Sequence, residues 1–187
     1  MDKQTRVYLY AFLSRVFSNA LDEKYLAELQ HNDELLTMLG DESFNWFKTT
    51  SLETIAEALN IDFSSIFLMN AKPIESSIID SKDEILVGLQ NPVMQFYFNH
   101  NYELNLAASH LQTPDHISIE LAFMQNLIAK NELKTQKEFL EVHLLKWAVP
   151  YFLGIKGMAK TPFYKDLSDF TIEFLASDYD FLVNELN

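Results

Sequence analysis

The residues best suited to chemistry lie in Thr113-Pro114-Asp115-His116 and at Glu120. Pro114 fixes the entry to a predicted helix, and Asp115 or Thr113 could cap that helix by accepting backbone N–H groups of its first turn. Alternatively, Asp115 and His116 form a recognition point for the backbone of a partner. A third interpretation adds Glu120, four residues after His116, as an acid–base or metal-binding group.

Several other classes of site lack the residues they need. The chain has no cysteine, which excludes disulfides, zinc–thiolate and iron–sulfur sites and thiol catalysis. It has four glycines and contains neither a phosphate-binding loop, nor a dinucleotide fingerprint, nor a serine hydrolase elbow. For the five histidines, a capping or hydrogen-bonded role is more common than a metal site. We therefore expect no cofactor and no metal.

The charge balance narrows the choice of partners. The 187 residues include 27 acids and 14 bases, giving a net charge of −13. Such a field repels nucleic acid phosphates and favours a basic partner. The longest apolar runs, such as Ala148 to Leu153, are too short to span a bilayer, and the first residues do not have the pattern of a signal peptide. We expect a cytoplasmic protein without an integral membrane segment.

Helical periodicity dominates the chain, and the scarcity of glycine and proline disfavours an all-β fold. We predict helix caps at Asp22, Asp62 and Thr135, the last with Glu138 at capping-box spacing. Two further helices are predicted to open at Asp41 or Ser43 and at Ser51.

Two long helices are predicted toward the end of the chain. An apolar helix runs from Phe139 to Leu153, kinked or broken at Pro150, and a turn follows at Gly154 and Gly157. Thr161-Pro162 then starts the last helix.

The predicted fold class is all-α, with roughly nine to eleven helices and no sheet. Residues 70–82 are predicted to be a structured loop, continued by a helix that begins at Lys82 or Pro92. A second loop runs from His110 to Asp115. The chain 1–187 is then one domain, or two lobes joined by the 70–82 loop.

Five short motifs resemble the TorD/DmsD/NarJ family of redox-enzyme maturation chaperones, and the order and spacing of the resemblance hold from about Tyr8 to Phe174. They are Asp62-Phe63-Ser64-Ser65-Ile66-Phe67, Pro73-Ile74-Glu75-Ser76, Tyr97 to Asn101, Gln112 to His116, and His143-Leu144-Leu145-Lys146-Trp147. These are similar to the family's D-Y-x-x-L-F stretch, Y-E-S loop, Y-x-x-x-G helix end, E-P-x-D-H signature and H-L-x-x-W helix. Each motif is weak by itself, but five in order are specific.

The chain departs from these patterns at four positions. Gln112 replaces the signature's Glu, Pro114 directly precedes Asp115, Ile74 replaces the loop tyrosine, and Asn101 replaces glycine. The Asp-His pair is intact. The changed loop bears on client specificity more than on the fold.

The resemblance implies a cytoplasmic chaperone without catalytic activity. Such a protein binds the N-terminal signal segment of a molybdopterin-containing oxidoreductase, often a basic twin-arginine signal peptide, and assists cofactor insertion before export or assembly. It is a monomer or a domain-swapped dimer. The resemblance and the aromatic content nominate as client-binding residues Pro114, Asp115, His116, Glu75, Ser76, Phe63, Phe67 and Tyr97. The alternatives are a small helical enzyme and a helical scaffold without a ligand.

The acidic net charge leads to a first prediction. If the negative field steers a basic peptide toward the protein, association slows as salt rises, because the Debye length falls from about 30 Å at about 0.01 M to about 8 Å at physiological ionic strength. Stopped-flow measurements over this range test it. Association rates that do not change with salt would remove the acidic surface from the mechanism.

Overall fold

The computed structural model describes residues 1–79, 88–106 and 111–187. Its α-helices are α1 (Lys3–Ser18), α2 (Glu23–Gln30), α3 (Asp33–Leu39), α4 (Asp41–Thr49), α5 (Leu52–Phe63), α6 (Glu75–Ile79), α7 (Pro92–Asn99), α8 (Ile117–Ala129), α9 (Leu133–Phe139), α10 (Leu145–Met158) and α11 (Pro162–Leu186). Two π-helices, π1 (Ser64–Asn70) and π2 (Leu140–Leu144), and a 3-10 turn (Gly88–Gln90) complete the elements. Since these ranges contain no β-strand, the all-α prediction is confirmed.

The chain divides into two compact units. The first unit comprises Met1–Ser18, Pro73–Val149 and Leu175–Asn187, and the second comprises Asn19–Lys72 and Pro150–Phe174. The choice between one domain and two lobes stays a prediction. In the described part of the chain, no helix combines the length and apolar character needed to cross a membrane.

A buried ion pair organises the ends of the chain within the first unit. The Arg6 guanidinium pairs with both carboxylate oxygens of Asp178 and also donates to Gln136 Oε1 at 2.8 Å. The Tyr10 hydroxyl donates to the same carboxylate at 2.9 Å. Because all four side chains are buried, this network satisfies charges that would otherwise destabilise the core.

Aromatic side chains fill the core of the first unit around α7, α8 and α9. The rings of Tyr97, Phe123 and Phe139 contact one another with centroids 4.7–6.1 Å apart. α7 ends before Asn101, which takes the left-handed conformation predicted for it, with φ of 52°. Phe98, by contrast, is 66% exposed, so not every ring in this stretch belongs to the core.

Asp62 does not start the helix predicted after it, because π1 continues directly from α5. Instead, its buried carboxylate accepts hydrogen bonds from the Lys160 and Thr161 N–H groups at 2.8–3.2 Å and from the Thr161 hydroxyl at 2.7 Å. Asp62 therefore caps the start of α11, a contact across 98 positions in sequence.

The other predicted helix boundaries have mixed outcomes. Asp22 and Ser51 cap α2 and α5, α4 begins at Asp41, and α11 begins at Pro162, as predicted. The cap at Thr135 is wrong because α9 already begins at Leu133. The turn at Gly154 and Gly157 is also wrong, since α10 continues through both and through Pro150.

The short helix α6 lies inside the loop predicted for residues 70–82. The predicted helix start at Lys82 and loop start at His110 lie outside the described residues.

A substitution of Trp147 tests the packing of the first unit. It is fully buried, and its indole N–H donates to Glu120 Oε2 at 3.3 Å. Trp147→Ala should lower the free energy of unfolding by about 3–5 kcal/mol, because it leaves a large cavity and removes the donor from a buried carboxyl. Urea denaturation measures this, with the exposed Phe98→Ala as a control expected to change little. Equal midpoints for both variants and wild type would contradict the burial of Trp147.

Candidate functional site

The candidate site begins with two segments of the first unit that pair side by side. An isolated antiparallel bridge joins Ile74 to His116. Next to it, the Glu75 N–H donates to the Asp115 carbonyl at 3.0 Å. This pairing holds the start of α6 against the start of α8, so that the predicted site residues Glu75 and Ser76 lie beside Asp115.

The Asp115 carboxylate is only partly used by the protein. Its Oδ2 accepts the Ser76 N–H at 2.9 Å, and the residue is 1% exposed. Its Oδ1 and the Ser76 hydroxyl are both buried and have no hydrogen-bond partner among the described residues. A buried acceptor left unpaired costs about 1–3 kcal/mol, so these two atoms offer strong bonds to an incoming donor.

A pocket of about 290 Å³ is lined by both residues. We call it the Asp115 pocket, and its lining consists of Glu75, Ser76, Ile79, Asn91, Pro92, Val93 and Asp115. Ile79, Pro92 and Val93 supply an apolar wall, whereas the acidic and hydroxyl groups lie together. This arrangement suits a ligand with a basic or hydrogen-bond-donating head on an apolar stem.

A buried acidic cluster adjoins the pocket through Glu75. His143 Nδ1 lies 3.0 and 3.1 Å from the two Glu75 carboxylate oxygens, and it donates to them. Glu120 is fully buried and accepts the indole N–H of Trp147. We define the acidic cluster as Glu75, Glu120, His143 and Trp147. π2 and α10, which carry His143 and Trp147, thus hold two carboxyl groups inside the first unit.

The surroundings of Glu120 favour the protonated form of its carboxyl group. Burial raises the pKa of Glu120 well above its usual range, and the negative charge of Glu75 raises it further. The hydrogen bond from Trp147 opposes this shift without reversing it. Burial and the charge of Glu75 therefore both favour the uncharged form of Glu120.

His116 is the N-cap of α8, the role that the sequence assigned to Asp115 or Thr113. Its Nδ1 accepts the Ser118 N–H at 3.3 Å and faces the Ser118 hydroxyl at 2.8 Å, which leaves the ring proton on Nε2. Burial lowers the pKa of His116 to about 4. His116 therefore turns back toward its own helix and is absent from the pocket lining.

The structure brings some of the predicted site residues together and separates others. Glu75, Ser76 and Asp115 line the Asp115 pocket, and the buried Tyr97 donates to the Pro114 carbonyl at 3.3 Å.

Phe63 and Phe67 lie in the second unit, where both are buried and their ring centroids are 5.2 Å apart. Their contact with a client, like that of Tyr97, stays a prediction.

Besides Trp147, two members of the acidic cluster were not predicted as site residues. His143 was noted only within the H-L-x-x-W resemblance, and Glu120 only as a partner of His116. The apolar surroundings of both in sequence could have indicated burial, but not that they lie near Glu75. In the described residues, no group of three or more His, Asp or Glu side chains is arranged to hold a metal ion.

Comparison with known proteins gives consistent matches. The family model described as nitrate reductase delta subunit matches residues 19–152. A protein named Chaperone protein TorD from Aliivibrio salmonicida is 28% identical, with 97% of this chain and 96% of the relative aligned. A protein of the same name from Shewanella pealeana is 24% identical, with 98% and 92% aligned. Another, from Shewanella oneidensis, is 22% identical over 97% and 92%.

The lowered pKa of His116 leads to a pH prediction. The folded protein keeps this ring neutral down to about pH 4, whereas the unfolded chain binds the proton below about pH 6.5. The stabilising contribution is therefore present above pH 6.5 and is lost as the pH falls toward 4. Between pH 7 and pH 5, wild type should lose about 1–2 kcal/mol more stability than His116→Asn, which keeps a capping side chain but does not titrate. Urea denaturation at both pH values measures this, and parallel losses would contradict it.

Proposed function

The chain belongs to the nitrate reductase delta subunit family, which is the family of TorD and NarJ chaperones, and from this we propose that its Asp115 pocket binds the N-terminal signal segment of a molybdopterin-containing oxidoreductase. Family membership identifies the protein as a chaperone for molybdoenzyme maturation and not as an enzyme. The proposal adds the site and the segment that the site binds.

The observation that carries this proposal is the buried Asp115 Oδ1 next to the Ser76 hydroxyl, neither of which has a partner among the described residues. A guanidinium or ammonium group can donate to both, and a charge-assisted bond of this kind is stronger than a neutral one. Ile79 and Val93 can pack against the methylene stem of the same side chain. The pocket therefore matches a basic residue within a partly apolar segment.

The whole-chain charge supports the same ligand. A net charge of −13 attracts a basic peptide from distances beyond the reach of the hydrogen bonds in the pocket. In the proposed mechanism, the chaperone acts in the cytoplasm and holds the signal segment until cofactor insertion is complete, before export or assembly. It does so as a monomer or a domain-swapped dimer.

The enzyme interpretation of Asp115, His116 and Glu120 gains no support from the geometry. His116 Nδ1 bonds to Ser118, Asp115 bonds to Ser76, and Glu120 bonds to Trp147. The three side chains thus have three separate sets of partners. They do not form the linked acid–base arrangement that catalysis requires.

Asp115→Asn tests the proposed site. The substitution keeps an oxygen for the Ser76 N–H and removes the charge, so the protein should fold. It should bind a synthetic signal peptide, with two adjacent arginines before an apolar run, about ten- to a hundredfold more weakly, because a charge-assisted hydrogen bond is lost. Isothermal titration calorimetry measures the affinity, and thermal melts of the same samples report stability.

Asp180→Asn is the matched control, since it makes the same charge change at an exposed position of the first unit. It should leave the affinity nearly unchanged. If Asp115→Asn lowers the melting temperature but binds as tightly as the control, Asp115 serves only to hold α6. If both variants lose affinity equally, net charge and not the pocket determines binding.

A further inference from the structure

Glu75 connects the Asp115 pocket with the acidic cluster. The residue is part of the lining of the Asp115 pocket, and its carboxylate accepts a hydrogen bond from His143 in the acidic cluster. Glu120, in the same cluster, is completely buried and lies within hydrogen-bonding reach of Glu75, whose negative charge raises the Glu120 pKa. A charge bound in the pocket therefore lies beside Glu75, the neighbour of a buried carboxyl that does not itself line the pocket.

Two buried carboxyl groups this close cannot both be ionised at low cost, because their like charges repel in surroundings with little water. Asp115, which also acts on Glu120, adds a third negative group. These negative groups therefore favour retention of the Glu120 proton. A positive group beside Glu75 and Asp115 would offset their charge and remove the reason for keeping that proton.

We propose that the Asp115 pocket binds its basic ligand with release of a proton from Glu120, so that client binding is linked to pH. This inference rests on the proposed function. In the exchange, the O–H bond of Glu120 breaks, the proton passes to the solvent, and the resulting carboxylate keeps its hydrogen bond from Trp147. The positive charge of the ligand replaces that of the proton, so the charge of the site is conserved.

The sign of the pH dependence follows from this balance. When binding releases a proton, affinity rises with pH, by up to tenfold per pH unit for one proton. The rise extends over the range in which free Glu120 is protonated and bound Glu120 is not. Acidification would then favour client release.

The proton released by Glu120 must be distinguished from protons released by other titratable groups near it. Those that face it or its neighbours are Glu75 on α6, Asp115 before α8, Tyr97 on α7 and His143 on π2. Burial raises the pKa of Tyr97 well above its usual range, so the phenol stays protonated throughout. Ser14, the α1 side chain that bonds to α8 at Ser118, does not titrate. His143 is therefore the second possible proton source.

Calorimetric titration of the synthetic arginine-pair peptide tests the proposal. At one pH, the binding heat is measured in phosphate and in Tris, whose different ionisation enthalpies reveal the number of protons released. We expect wild type to release up to one proton and Glu120→Gln to release close to none. Gln keeps an acceptor for Trp147 and imitates the protonated acid. As the pH rises, the affinity of wild type should rise by up to tenfold per pH unit, while that of Glu120→Gln stays nearly level.

His143→Asn is the control for the second proton source, and it should still release the proton. Loss of release in His143→Asn but not in Glu120→Gln overturns the proposal, as does binding by wild type without proton release. Absence of any binding overturns the proposed function and this inference together. Infrared difference spectra of wild type give a readout that needs no variant: peptide addition should remove the carbonyl band of a protonated carboxyl group, and an unchanged band overturns the inference.

Discussion

The carboxylate of Asp115 is the group on which the candidate site depends. One of its oxygens accepts the Ser76 N–H, and the carbonyl of the same residue accepts the Glu75 N–H. These two bonds bring α6 to the start of α8 and so create the pocket. Because the second carboxylate oxygen remains buried and unpaired, the residue that builds the site also supplies its strongest acceptor.

Buried ionisable groups of the first unit are stabilised in two different ways. Arg6 and Asp178 neutralise each other within a network that also uses Gln136 and Tyr10, as expected of a structural ion pair. In the acidic cluster, His143 bonds to Glu75, and burial together with the negative charge of Glu75 favours the uncharged form of Glu120. The Arg6–Asp178 pair is neutralised within the protein. Glu120 favours its proton because ionisation would place it beside other negative groups, so the positive charge of a ligand can replace that proton. This contrast is the physical basis of the proposed link between client binding and pH.

The sequence by itself determined the features that depend on neighbours in the chain. The helical class followed from periodicity and the scarcity of turn residues. The caps at Asp22 and Ser51 followed from side chains that reach backbone N–H groups three residues ahead. The left-handed Asn101 followed from the tolerance of asparagine for that conformation. Family membership was also readable, since the order of five motifs survives many substitutions between them.

Only the tertiary structure decided where polar side chains found their partners. Asp62 is of a residue type that commonly caps the helix after it, but it bonds to Lys160 across 98 positions. The reason is that π1 continues from α5 and leaves no free helix start beside Asp62. His143 bonds to Glu75 across 68 positions, a distance over which chain spacing carries no information. Asp115 and His116 are neighbours in sequence, yet their side chains bond to different helices. Hydrogen bonding requires atoms within about 3 Å, and packing sets that proximity.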